Sequence, residues 1–512
     1  MVSRPNLRPT AVRLRTASAL FAVLLLGGVA ASCSSSSNST STSVTSNPAA
    51  SHPAGLSPLR STAWKDAATF APPPNAGTIS EPLTASPLDL AAYHYVESEY
   101  LASGTAYSFV PRTTPDNGRW TFGIGSSAPY ATRIIVRRPA DPAAFDGNVV
   151  VEWMNVSAGE SAPDWEYMNP YLMDTGAAYI GVSVQALAVN GGTALLGNRL
   201  AGAGSGLRGS DPARYSTLHH PGDQYSLDMF AQIGRGIADE APTILGGLHP
   251  THVLAVGESQ SAFYLTTYVN ALQPLDPVYD GFFIHSRGGG AVPLNGTGAN
   301  VNSAIDGSVR IRTNLDAPVF MFETQTDLIQ LGYAAAQQPN TAHIHTWEVA
   351  GTSHADAYEL GPAAGLLGCS TPVNTGPQHV VVQAAGRSFL IWADGGKTPP
   401  SPAPFTLAST DPARLALDSH GNVLGGVRTP AVDVPISTLS GAPPAHSTTL
   451  CGLFGSTVPF TPAQLTGLYS SPAHYVSLYT ASLDKTIAGG YILPADRTAL
   501  IAQARQVTFP SN

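Results

Sequence analysis

Short apolar runs rich in β-branched residues recur along the chain, and turn residues separate them. They span residues 132–139, 148–154, 178–184, 252–257, 278–285, 318–324 and 343–350. Most are continuously apolar, as in strands buried on both faces of a sheet, and helix-like segments over 161–174, 211–236 and 261–271 stand between several of them. This alternation predicts an open, mostly parallel, doubly wound α/β sheet, in which ligands bind beyond the carboxyl ends of the strands.

The first 62 residues are not expected to belong to this fold. A basic leader and an apolar run over 19–31 are typical of a secretory signal, and the run is too short to span a bilayer. The sequence VAASC then ends at Cys33, as in bacterial lipoprotein signals, although Ala30 stands where leucine is usual. We expect a signal peptide over 1–32, then a lipidated Cys33 that anchors the protein to a membrane through a Ser-rich tether over 33–62. Ordinary cleavage and secretion is the alternative.

The net charge of the exported chain limits the classes of partner that it can bind. The leader holds four arginines and no acidic residue, so its removal takes the net charge from −9 to −13. An acidic protein without a basic run is a poor binder of nucleic acid. We therefore expect no nucleic-acid partner.

Two cysteines remain after Cys33, at Cys369 and Cys451. An even number of cysteines in an exported protein favours a disulfide between them. Two separate buried thiols are the alternative.

Ser259 stands in the stretch VGESQSA, between the apolar run HVLAVG and the helix-like SAFYLTTYVNAL. This is the strand–turn–helix context of a nucleophile elbow, in which a sharp turn lifts a serine hydroxyl above the sheet. The residues two places away on either side must be small, because strand and helix backbones pass close together there. Gly257 meets this requirement, and Ser261 is small although not glycine. The pattern predicts that Ser259 is a catalytic nucleophile.

A serine nucleophile needs a base, and the base needs an orienting acid, in the chain order Ser, Asp or Glu, His. His354 follows the last apolar run and is the predicted base. Asp327, just past the run over 318–324, is the predicted acid, and Glu323 at the end of that run is the reserve. His343 and His345 are expected to pack on their strand rather than bind a metal, because no third ligand is visible.

The tetrahedral intermediate of acyl transfer needs two backbone N–H donors. In an elbow of this kind, one comes from the residue after the nucleophile, here Gln260. The other comes from the loop after an earlier strand, and the loop NVSAGES over 155–161 places it at Val156 or Ser157.

The stretches GESQSA, VVVEWMNVSAG, WEVAGTSHAD and GGVRTPAVDVP together resemble a family of large, poorly characterised bacterial proteins with an α/β-hydrolase domain. The resemblance runs from about Pro82 to the C-terminus. It implies an α/β-hydrolase fold with Ser259, Asp327 and His354 as a triad, and it implies no substrate. We expect a core over 63–396 with a cap insertion at about 185–210, and an extension over 397–512 that forms a lid and packs helices on the core.

These features predict an exported serine hydrolase that cleaves small carboxylic esters through an acyl-enzyme, with no metal and no cofactor. An amidase or peptidase would use the same triad. A surface-binding lipoprotein whose activity has lapsed is a further alternative, because a fold does not fix a function. The natural substrate, the oligomeric state and the membrane that carries the anchor are left open.

Overall fold

The computed structural model describes residues 63–79, 81–197, 204–296, 307–442 and 447–509, without the side chains of Leu366 and Thr449. The expected signal peptide, Cys33 and the tether lie outside these ranges, as do residues 198–203 of the expected cap insertion. Within these ranges, no helix is both long and apolar enough to cross a membrane.

The centre of the molecule is a sheet of nine described strands. In chain order they are β1 (Thr69–Ala71), β2 (Tyr95–Thr113), β3 (Thr121–Pro139), β4 (Asn148–Trp153), β5 (Ala178–Val182), β6 (His252–Glu258), β7 (Gly281–His285), β8 (Val319–Glu323) and β9 (Ile344–Glu348). Their order across the sheet is β1-β2-β3-β5-β4-β6-β7-β8-β9.

From β5 to β9 every pair of neighbouring strands is parallel. The chain passes from β4 to β5 on one side, and then crosses back to β6 on the other side of β4. Loops that leave the carboxyl ends of β4 and β6 therefore diverge, and such a switch point is where open α/β sheets bind their ligands.

The antiparallel end of the sheet differs from the sequence prediction. The run over 132–139 is only the end of β3, a strand of 19 residues that pairs with the equally long β2. Ile134 and Val136 at this end are fully buried, whereas much of the rest of the hairpin is polar or partly exposed. The apolar pattern therefore predicted a strand at the buried end of the hairpin and none in its outer part.

Helices cover both faces of the parallel sheet. The helices of the first 396 residues are α1 (Pro163–Thr175), α2 (Ala186–Asn190), α3 (Gly206–Ser210), α4 (Pro212–Tyr215), α5 (Ser226–Asp239), α6 (Ala241–Ile244), α7 (Gln260–Ala271), α8 (Gln325–Ile329), α9 (Ala357–Leu360) and α10 (Gln378–Ala393). Side chains of α1 and α10 pack in one core, and those of α5 and α7 pack in the core on the other face. The helix predicted over 211–236 is interrupted, because Pro221 and Gly222 (φ 128°) separate α4 from α5.

The C-terminal region adds two small two-stranded sheets and several helices. In chain order these elements are β10 (Leu407–Thr410), β11 (Ala413–Leu415), α11 (Pro430–Asp433), β12 (Ser437–Ser440), α12 (Thr449–Leu453), β13 (Ser456–Pro459), α13 (Pro462–Leu468), α14 (Pro472–Ala488) and α15 (Arg497–Ala504). Leu483 of α14 and Leu500 of α15 are buried in the same core as α1 and α10. Cys369 and Cys451 form a disulfide with an S–S distance of 2.09 Å.

Candidate active site

Ser259 lies at the junction between β6 and α7, with φ 58° and ψ −119°. A positive φ is uncommon for a residue other than glycine and marks a sharply turned backbone. The N–H of Ser259 donates to the carbonyl of His285 at 2.9 Å, which ties the turn to β7. A Cβ at Gly257 would lie 3.0 Å from the Cβ of Ser261, so both positions are restricted to small residues.

The structure brings the three predicted triad residues together. The Oγ of Ser259 lies 2.7 Å from Nε2 of His354, and Nδ1 of His354 lies 2.7 Å from Oδ1 of Asp327. His354 stands in the loop after β9, and Asp327 lies in the first turn of α8, just past β8. Strands β6, β8 and β9 thus each deliver one of these side chains to the same edge of the sheet.

Asp327 is held in place by its own helix. It is fully buried, and its Oδ2 accepts hydrogen bonds from the N–H and the Oγ1 of Thr324, both at 2.7 Å. Thr324 and Asp327 form the capping box at the start of α8. This leaves Oδ1 directed at the imidazole of His354.

Glu323, the reserve acid, occupies a different position. Its carboxyl is fully buried, and neither oxygen has a hydrogen-bond partner among the described residues. Burial, followed by the nearby Asp327 carboxylate, raises the pKa of Glu323 well above its usual value. The geometry therefore favours Asp327 as the partner of His354.

The two predicted positions for the second oxyanion donor are not equivalent. The N–H of Ser157 donates to the Oδ1 of Asn155 at 2.7 Å and is therefore engaged. The N–H of Val156 donates to no acceptor in the described part of the chain. Gln260, the first residue of α7, supplies its N–H at a helix N-terminus, where the helix dipole favours negative charge. Val156 is thus the better partner for Gln260 in this role.

A family profile described as an alpha/beta hydrolase domain matches residues 69–502 of the 512-residue chain. The chain belongs to this α/β-hydrolase family. The match confirms the predicted family and fold class, and it supports hydrolysis as the chemistry of the site.

Solved structures of α/β hydrolases also match this chain, at low identity. One is a candidate dienelactone hydrolase from Klebsiella pneumoniae, at 12% identity and a TM-score of 0.30, over 57% of this chain and 99% of the other. Another is a lidless α/β serine hydrolase from Xanthomonas campestris, at 10% identity and a TM-score of 0.26, over 48% of this chain and 83% of the other. The search of curated proteins found no match.

His343 and His345 of this α/β hydrolase lie apart from Ser259, Asp327 and His354. His343 precedes the strand and is exposed, whereas His345 is buried with its ring 5.0 Å from that of Trp392. No group of three or more His, Cys, Asp or Glu residues within the described ranges is arranged to hold a metal ion.

The C-terminal region contacts the segments that carry Asp327 and His354. The Oγ1 of Thr326, beside Asp327, donates to the carbonyl of Gly441 at 2.6 Å. The Oγ of Ser353, beside His354, donates to the carbonyl of Phe454 at 3.2 Å, and the N–H of Ala355 donates to the carbonyl of Leu453 at 3.3 Å. The extension therefore contacts both loops of the α/β-hydrolase site directly.

Two site residues were not found from the sequence. Glu258 immediately precedes Ser259, the predicted nucleophile, and Asn155 starts the loop of the predicted second oxyanion donor. Both are buried, and the Nδ2 of Asn155 donates to a carboxylate oxygen of Glu258 at 3.2 Å. The available signal in the sequence was a polar residue at the end of each apolar run. Nothing in the sequence indicates that Asn155 and Glu258 contact each other.

Proposed function

We propose that the protein is a serine hydrolase that cleaves carboxylic esters, with Ser259 as nucleophile. The observation that carries the proposal is the pair of 2.7 Å hydrogen bonds that joins Ser259 to His354 and His354 to Asp327. A serine hydroxyl becomes an effective nucleophile when a base takes its proton and a carboxylate orients that base.

In acylation, Nε2 of His354 takes the hydroxyl proton as the Oγ of Ser259 attacks the ester carbonyl carbon. The N–H groups of Gln260 and Val156 stabilise the resulting oxyanion, and Asp327 stays ionised and stabilises the imidazolium. His354 then gives its proton to the leaving alkoxide oxygen, which departs as the alcohol. Water repeats the sequence on the acyl-enzyme and releases the acid.

The test is turnover of a panel of nitrophenyl esters by the wild type, Ser259→Ala and Ser261→Ala. We expect Ser259→Ala to lower kcat by at least about 10⁴-fold while the fold is kept. Ser261→Ala is the matched control, because the buried Oγ of Ser261 has no hydrogen-bond partner in the described residues. Full turnover by Ser259→Ala would overturn the assignment.

Ester preference is tested separately, with esters and anilides that share one acyl group. The proposal expects higher kcat/KM for the esters, and faster cleavage of the anilides would favour the amidase or peptidase alternative. A folded wild type that cleaves neither would favour a lapsed enzyme that only binds.

We also propose that the protein is exported and anchored by lipid on Cys33. Expression in bacteria with an alkyne-tagged fatty acid should label the wild type and leave Cys33→Ser unlabelled. Unlabelled wild type in the culture medium would favour plain secretion.

A further inference from the structure

Glu258 places a second carboxyl beside the base. It is the last residue of β6, it is 3% exposed, and its Oε1 lies 3.8 Å from Nε2 of His354. This is the nitrogen that faces the hydroxyl of Ser259. Within the described residues, its side chain accepts one hydrogen bond, at Oε2 from Asn155. A buried carboxyl with so few partners costs stability, so packing gives no reason for it.

Asn155 joins this carboxyl to the loop of the oxyanion donor. Its Nδ2 donates to both the Oε2 and the backbone carbonyl of Glu258, at 3.2 and 3.0 Å. Its Oδ1 accepts the N–H of Ser157 at 2.7 Å. One amide therefore fixes Glu258 and the turn that presents the N–H of Val156.

We propose that Glu258 is a positioning residue that stabilises the imidazolium of His354 from its Nε2 side, opposite Asp327 on its Nδ1 side, and that Asn155 holds it there. This deepens the proposed function and rests on it. In the reaction the imidazolium forms as Ser259 loses its proton, so the interaction favours the transition state over the ground state. An opposite charge within about 4–6 Å favours a charged group in a buried site.

Acidic groups surround Glu258 from the neighbouring elements. Burial, and then the carboxyls of these neighbours, raise the pKa of Glu258 well above its usual value. Below that pKa the carboxyl is neutral and resembles a glutamine amide, and above it the charge is present. The groups that face it are Glu152 of β4, Asp164 and Tyr167 of α1, His285 of β7, Asp327 of α8, His354 of its loop and Glu359 of α9.

The test is the pH profile of kcat/KM for an ester, from pH 5 to 9.5, for the wild type and Glu258→Gln. We expect the two to converge at low pH and the wild type to exceed the variant by about tenfold or more at high pH, with KM little changed. A purely structural role would lower activity by the same factor at every pH, and such a constant ratio would overturn the proposal.

Glu348→Gln is the matched control. Glu348 is also the last residue of its strand and is buried, but its carboxylate accepts hydrogen bonds from Gln337 and the N–H of Phe405. The ratio of kcat/KM between the wild type and Glu348→Gln should not change with pH.

Glu258→Asp keeps the charge and withdraws it by one methylene. At high pH, its kcat/KM should lie between those of Glu258→Gln and the wild type. If Glu258→Gln does not fold, Glu258→Asp takes its place in the test. A wild-type profile in Glu258→Asp, with the glutamine variant unfolded, would overturn the proposal. Failure of the proposed function gives a different result, because Ser259→Ala would then remain active. If Ser259→Ala is inactive and the ratio of kcat/KM between the wild type and Glu258→Gln does not change with pH, only the role of Glu258 is overturned.

Discussion

Ser259 is held in a backbone conformation that residues other than glycine rarely adopt, with φ 58°. Strain of this kind costs about 1–3 kcal/mol and persists only where the surrounding structure enforces it. Here β6, α7 and the hydrogen bond to His285 enforce it. The turn thereby presents the hydroxyl to His354, and the strained residue is also the one at which the chemistry is proposed.

The choice of acid is a prediction at the same scale. Asp327→Asn removes the charge that orients and stabilises the imidazolium, and we expect kcat to fall by about 10⁴-fold. Glu323→Gln, four residues upstream at the end of β8, should leave kcat within about tenfold of the wild type. Steady-state kinetics of both variants measure this, and the reverse pattern would assign the acid to Glu323.

The sequence allowed Ser259, Asp327 and His354 to be selected, because chain order and strand ends restrict each to a few positions. Glu258 and Asn155 could not be paired in the same way. Their contact joins the end of β6 to the loop after β4. Strands β4 and β6 are neighbours in the sheet, and no local sequence pattern predicts this pairing.

At the scale of elements, the buried parallel strands were predictable and the hairpin at the sheet edge was not. The run over 148–154 corresponds to β4 and the run over 252–257 to β6, because strands covered on both faces are continuously apolar. The long hairpin of β2 and β3 has one buried end and a polar outer part, so it lacks that pattern.

The disulfide joins the segment after α9 to α12, next to the residues that accept hydrogen bonds from the loop of His354. Its half-cystines are separated by 82 residues in the sequence. In the chain-entropy model, closing a loop of that size stabilises a fold by about 4.5 kcal/mol. We expect Cys451→Ser to unfold several degrees below the wild type in a thermal melt. Reductant should lower the wild-type midpoint to that of the variant and leave the variant unchanged. An unchanged midpoint in wild type whose thiols are shown to be free would contradict this.

At the scale of the whole molecule, burial of carboxyls couples stability to pH. Asp228 of α5 is fully buried, and burial raises its pKa from 3.8 to about 7. Between these pH values, the Asp228 carboxyl is ionised in the unfolded chain and protonated in the folded protein. The stability that this group contributes is therefore present below pH 3.8 and is lost as pH rises to about 7.

Asp228→Asn removes this dependence. We expect the difference in melting temperature between wild type and variant to shrink or reverse as pH rises from 5 to 7.5, at up to about 1.4 kcal/mol of unfolding free energy per pH unit. Asp239→Asn, at an exposed position of the same helix, is the control and should show no such trend. A difference that is constant with pH would contradict the ionisation assigned to Asp228.

The most direct measurement is the mass of the purified protein after reaction with a fluorophosphonate, which reacts readily with an activated serine. The wild type should gain one adduct, located by peptide mapping on the segment that contains Ser259, and Ser259→Ala should gain none. An unmodified wild type, or an adduct that persists in Ser259→Ala, would contradict the account.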